Sequence, residues 1–118
     1  MRITLTVRHM KNNAAIQSCF DEHVDKLLSR LSNFDESAIF IHANIDKNPH
    51  KDHYSCSLTV HLPSMTLHSR YASFDVIKTI NASFGLIIRQ AEKFKARLRR
   101  NYKQKDRKAG SEGNFIDN

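Results

Sequence analysis

The residues with the clearest chemical purpose in this chain are cationic. Ten of its nineteen Lys and Arg residues lie between Arg89 and Lys108, against two acids, Glu92 and Asp106, so this block carries a formal +8. Residues 1–88 hold nine bases and eight acids, and residues 109–118 add only Glu112 and Asp117, so the net +7 of the whole protein resides in one segment. Arg89, Lys93, Arg97 and Arg100 are separated by four, four and three residues. On a helix that spacing places them on one face, as a ridge about 16 Å long. Lys95, Arg99 and Lys103 form a second row beside it. Stacked like charges repel each other, and a solvated helix face ordinarily interleaves acids with its bases. A polyanion reverses the sign: the phosphates of a folded or duplex RNA meet several cations of a rigid ridge at once.

Other chemistries have less support. His42, His61 and His68 fall on the polar side of alternating strands. Three imidazoles could converge on zinc, but no Cys joins them and the spacing matches no short ligand motif. The preferred reading is an open sheet face that tolerates His and Thr and could face RNA, with no metal bound. His23 borders an apolar helix stripe and reads as packed; His50 and His53 flank a loop. Cys19 and Cys56 lie on apolar faces without Cys-x-x-Cys spacing and read as reduced core thiols. Gly85, Gly110 and Gly113 make no phosphate-binding loop, and no nucleophile elbow is present. Asp21, Glu22 and Asp25 sit on the wet side of a helix. No enzyme, cofactor or small-molecule substrate is expected. Met1–Arg8 has no continuous apolar stretch of signal-peptide length and no apolar run approaches a membrane span, so the expected compartment is the cytoplasm, with no membrane partner.

The elements that must carry the ridge follow from periodicity. Ile3, Leu5 and Val7 alternate with polar residues as a strand. From Ala14 to Phe34 the period changes to that of a helix, with Ile16, Phe20, Val24, Leu27, Leu28 and Leu31 as its stripe and Asn12 or Asn13 as its cap. Three strand signals follow: Ile39 to Ile45, with Phe40, His42 and Asn44 on the opposite side; Tyr54 to Leu62; and Met65 to Ala72. Short connections predict antiparallel hairpins. Ser73 or Asp75 opens a second helix, in which Ile77, Ile80, Phe84, Ile87, Ile88, Ala91, Phe94 and Leu98 keep helical spacing. Gly85 in its middle suggests close packing against a neighbour. The expected fold is α+β: a two-layer β-α-β-β-β-α domain over residues 1–108, with a four-stranded sheet and two helices on one face, and a flexible tail over 109–118.

That order resembles the double-stranded-RNA-binding fold with an added first strand. A narrower resemblance lies in three stretches. His23-Val24-Asp25-Lys26-Leu27-Leu28-Ser29-Arg30-Leu31-Ser32-Asn33-Phe34 has the look of a His-Val start, basic-Leu repeats and a closing aromatic. Arg89-Gln90-Ala91-Glu92-Lys93-Phe94-Lys95-Ala96-Arg97-Leu98 is similar to the second-helix stretch of bacterial ribosome hibernation-promoting factors and ribosome-associated inhibitors. Leu67-His68, followed by Asp75 and Ile80, fits the run into that helix. The resemblance covers about residues 1–105. Leu27 stands where the family often has a base, and Asp75-Val76-Ile77-Lys78-Thr79-Ile80-Asn81 lacks the family's aromatic and second acid.

The resemblance implies a translation inhibitor. Such proteins occupy the channel of the small ribosomal subunit where messenger and transfer RNA would sit, in stationary phase or stress. Carried over, Arg89, Lys93, Lys95 and Arg97 would hold ribosomal RNA phosphates and Arg30 would assist; the charge pattern adds Arg99, Arg100 and Lys103. The expected partner is the small subunit with its RNA, and the free protein is expected to be a monomer of the short form. Asn114-Phe115-Ile116-Asp117 is similar to a tail segment of the inhibitor branch, and both promotion and prevention of ribosome pairing are compatible with these residues. The alternative is a general RNA-binding module of double-stranded-RNA type, not tied to the ribosome. That module carries a Gly-Pro-x-His loop and a Lys cluster at the start of its last helix, whereas here the loop is Lys47-Asn48-Pro49-His50-Lys51 and Lys78 stands alone. A third reading is a protein-interaction module that grips an acidic partner.

Overall fold

Alternating apolar residues build a four-stranded sheet. Its strands are β1 (Arg2–Arg8), β2 (Phe40–Lys47), β3 (Tyr54–Leu62) and β4 (Met65–Ser73), hydrogen-bonded in that spatial order. The computed structural model describes the backbone of residues 1–111 and the side chains of residues 1–97. β2–β3 and β3–β4 are antiparallel, and β1 runs parallel to β2. Parallel neighbours need a crossover rather than a tight turn, and α1 (Ala14–Arg30) supplies it. With α2 (Val76–Ser111) the order is the expected β-α-β-β-β-α, and both helices cover one face.

That face is the core. Ile41, Ala43 and Ile45 of β2, Cys56, Leu58 and Val60 of β3 and Leu67 of β4 are buried against Ile16, Phe20, Val24 and Leu27 of α1 and Ile80, Phe84, Ile87, Ala91 and Phe94 of α2. Each Val, Leu, Ile and Phe among them contributes about 1.5–3 kcal/mol of hydrophobic free energy when fully buried. Phe84 sits at the junction of the two helices. Its ring meets Phe20 edge-on at 5.8 Å and stacks under His23 at 5.1 Å. His23 Nε2 donates to Asn81 Oδ1, so this histidine is packed, as its border position suggests. Leu27 is fully buried, and Lys26 beside it is exposed.

Local signals set the helix starts. The Asn13 side chain accepts from the Ile16 N–H at 2.9 Å, and Asp75 Oδ1 accepts from Ile77 N–H at 2.9 Å, filling donors that a first turn leaves unpaired. The end of α1 differs from the expected Phe34. Leu31 leaves helical geometry (φ −106°, ψ 22°), and α1 stops at Arg30. A turn follows, in which the Phe34 N–H donates to the Leu31 carbonyl at 3.0 Å, and the Phe34 ring stacks on Phe94 at 5.9 Å. At the other end, α2 runs through Ser111, so residues 109–111, assigned to the tail by composition, are helical, while residues 112–118 lie outside the described residues.

Close approach of α2 to the sheet occurs at serines rather than at the glycine. Ser69 Oγ donates to the Ser83 carbonyl at 2.9 Å, and Ser83 Oγ donates to the Cys56 carbonyl at 3.1 Å, so both buried hydroxyls are satisfied. Gly85 is exposed, and a Cβ there would meet nothing within 4 Å. The expectation of tight packing at Gly85 is therefore corrected: it lies on the solvent side of α2. Gly85→Ala should stabilise the fold by about 0.5–1 kcal/mol, because Ala loses less backbone freedom in a helix. Urea unfolding of the two proteins measures this, and a destabilised variant would contradict it.

Both cysteines are free thiols, with Cys56 buried and Cys19 half-buried. Burial pushes the Cys56 thiol up to about 11, with the Ser83 hydroxyl acting against it. Burial, then the nearby Glu22 carboxylate, raises Cys19 as well. The folded state thus holds the Cys56 proton at pH values where the unfolded chain, near the ordinary 9.0, has released it. The resulting stability is complete below the unfolded value and is lost as pH rises through the folded one. Between about pH 9 and 11 the wild type should lose on the order of 2 kcal/mol more than Cys56→Ala does. Parallel urea titrations across that range test the difference.

Candidate nucleic-acid interface

The basic ridge lies on the side of α2 away from the core. Ile80, Phe84, Ile87 and Ala91 are almost wholly buried, whereas Arg89, Lys93 and Arg97 are exposed. A helix advances about 100° per residue, so these three point roughly opposite the apolar stripe and drift toward the β4 side as the helix rises. Among the described residues, none of the three forms an ion pair or a side-chain hydrogen bond. Three cations within about 12 Å of helix are thus presented to solvent together.

Two features hold the ridge in this orientation. On one side, the Gln90 carboxamide grips the outer edge of β4. Its Oε1 accepts from the His68 N–H at 3.2 Å, and its Nε2 donates to the His68 carbonyl at 2.7 Å. An edge strand has such groups unpaired, so one side chain satisfies both backbone groups of His68 and fixes the rotation of α2 against β4. On the other side, Lys95 Nζ donates to the Arg30 carbonyl at 3.0 Å, where a helix C-terminus carries partial negative charge. Arg30 Nη1 reaches Glu92 Oε2 at 3.1 Å, a half-exposed pair worth about 0–1 kcal/mol.

The eight expected RNA-contacting residues are therefore not alike. Arg89, Lys93 and Arg97 form one open row. Lys95 is half-buried and turned toward α1, and Arg30 is engaged with Glu92, so these two fasten α1 to α2. Arg99, Arg100 and Lys103 are on the α2 backbone, and their side chains lie outside the described residues. The clip made by Gln90 and the partner of Lys95 escaped sequence reasoning, because each depends on a neighbour distant in the chain.

Among the described residues, none covers the sheet face opposite the helices. His42, His61 and His68 lie on it, as their alternation suggests. His61 Nδ1 and Thr66 Oγ1 are 3.1 Å apart, as are His68 Nδ1 and Thr59 Oγ1, and His42 Nε2 meets Asn44 Nδ2 at 3.2 Å. Among the described residues, no group of three or more His, Cys, Asp and Glu side chains is placed to hold a metal. No helix among them is long and apolar enough to cross a membrane.

The profile of the Sigma 54 modulation protein / S30EA ribosomal protein family matches residues 3–99. The chain belongs to this family. Sigma 54 modulation / S30EA proteins are binding factors, and this member is accordingly not an enzyme. A solved structure of a ribosomal subunit interface protein from Coxiella burnetii superposes with a TM-score of 0.62 at 22% identity, covering 81% of this chain and 99% of that one. The N-terminal domain of Protein Y from Thermus thermophilus superposes with a TM-score of 0.61 at 19% identity, covering 80% and 99%. Both share the fold. Among curated proteins, none matches this S30EA family member significantly.

Proposed function

We propose that this protein is a ribosome-binding inhibitor of translation. In this reading the ridge of Arg89, Lys93 and Arg97 lies against ribosomal RNA of the small subunit, and the body of the domain fills the channel used by messenger and transfer RNA. Arg99, Arg100 and Lys103 extend the contact along α2, and Arg30 and Lys95 keep α1 aligned beside it. Inhibition is then occupation of space in the cytoplasm under stress or in stationary phase, with no bond made or broken. Membership of the S30EA family supports the ribosomal partner. The observation that carries the reading is the open row of three cations that no acid of the described chain neutralises.

The charge sits toward the far end of α2, with Lys78 alone near its start, which favours the ribosomal reading over a free double-stranded-RNA module. Sucrose-gradient centrifugation of ribosomes with the purified protein tests it. The protein should travel with small subunits or whole ribosomes. If about six phosphates are neutralised, affinity should fall roughly a thousandfold between about 50 and 200 mM salt. A protein that stays at the top of the gradient in low salt overturns the proposal.

A further inference from the structure

The open face of the sheet carries a second concentration of chemistry that the ridge does not use. Its strands place Arg2, Phe40 and His61 side by side in one row, by the pairing of Arg2 with Phe40 and of Phe40 with His61. His42 follows Phe40 on the same face two residues along β2, and Arg70 closes the face on β4. Phe40 is 48% exposed, which is unusual for a large aromatic on a strand bordered by buried Ile39 and Ile41. An open groove of about 460 Å³ runs beside it, lined by Arg2, Thr4, Phe40, Ile41 and His42. That volume falls in the range of small-ligand sites. Among the described residues the only acid on this face is Asp46, and its carboxylate is taken up by His9 Nδ1 at 2.7 Å. Arginines stand at the margins, flat rings stand between them, and the intervening positions are short Thr, Ser and Asn side chains over which a planar group can lie.

We propose that this face binds a short single strand of RNA, with a base stacked on Phe40 and phosphates held by Arg2 and Arg70. Charge selects the polyanion. The exposed ring selects single strands, because only unpaired bases offer a face for stacking, whereas an A-form duplex presents hydroxyls and phosphates. Strand geometry suits the ligand. Phe40 and His42 are about 6.6 Å apart along β2, and Arg2 and Arg70 are separated by about 20 Å diagonally across four strands. That is a footprint on the order of four nucleotides, the small end for sheet-based single-strand sites. The site faces away from the helices, so it stands or falls independently of the ridge.

Fluorescence anisotropy with a labelled oligouridine of about ten nucleotides tests it on the full chain. The measurement is repeated in an Arg89→Ala, Lys93→Ala, Arg97→Ala background, which removes the open row of α2. Binding should persist in that background. Phe40→Ala should weaken it about 5- to 150-fold, and Phe40→Tyr should restore it. A fully paired RNA of equal length should compete poorly. Because Phe40 is half exposed, the variants should keep the wild-type circular dichroism. The proposal is overturned if Phe40→Ala binds oligouridine like its parent, if the ridge background loses all binding, or if the duplex competes as well as the single strand. It is also overturned if sedimentation shows that Phe40 holds two copies of the protein together and Phe40→Ala merely separates them.

Discussion

Replacing Arg89, Lys93 and Arg97 together by Glu should eliminate cosedimentation with ribosomes while leaving the fold intact. The three side chains are exposed and pair with no acid among the described residues, so their loss removes no internal contact. Substitutions at such positions usually change stability by no more than about 0.5 kcal/mol each. Binding responds differently. Each neutralised phosphate contributes about 0.9 to the slope of log affinity against log salt, so three lost contacts should flatten that slope by about 3. Reversal adds repulsion from the same phosphates, which is why it should exceed Ala replacement. Gradient profiles at two salt concentrations, alongside thermal melts, separate binding from folding. A triple variant that melts normally and still sediments with ribosomes shows that the ridge is not the contact surface.

The largest expected effect on stability is Phe84→Ala, a loss of about 3–5 kcal/mol. Phe84 is fully buried and bridges α1 and α2 through Phe20 and His23. Truncation removes the transfer free energy of the ring and leaves a cavity whose walls are held by both helices and the sheet, so collapse is restricted. A domain of this size commonly has about 5–15 kcal/mol in total, so a large part of the margin disappears. Phe84→Leu should cost clearly less, because most of the volume stays filled. Urea denaturation measures all three proteins. A Phe84→Ala loss under about 1 kcal/mol would mean that the ring does not carry the helix junction.

The core was legible because its signal is periodic: alternation in β2, β3 and β4 and the 3.6-residue stripes of both helices name nearly every buried residue. Asn13 and Asp75 were legible as caps because a side chain two or three residues away is a local partner. Gly85 misled for a related reason. A glycine in a helix has no stripe position of its own, and its angular place, turned to solvent, reads only against the packed residues around it. Phe40 was visible as an aromatic out of phase with Ile39 and Ile41, yet phase alone assigns a face and not an occupant.

Sequence alone determined the element order, the apolar face of each element and the concentration of positive charge on α2. These depend on spacing along one chain and on the fixed repeats of helix and strand. Tertiary structure decided which cations stand clear. Lys95 and Arg97 are two residues apart, but Lys95 turns toward the carboxyl end of α1 and caps it, while Arg97 faces solvent. It also decided that β1 lies parallel to β2 and that Gln90 locks α2 to the edge of β4. Spacing sets an angle around an axis; the partner met at that angle comes from a segment far away in the chain, placed by the packing of the whole core.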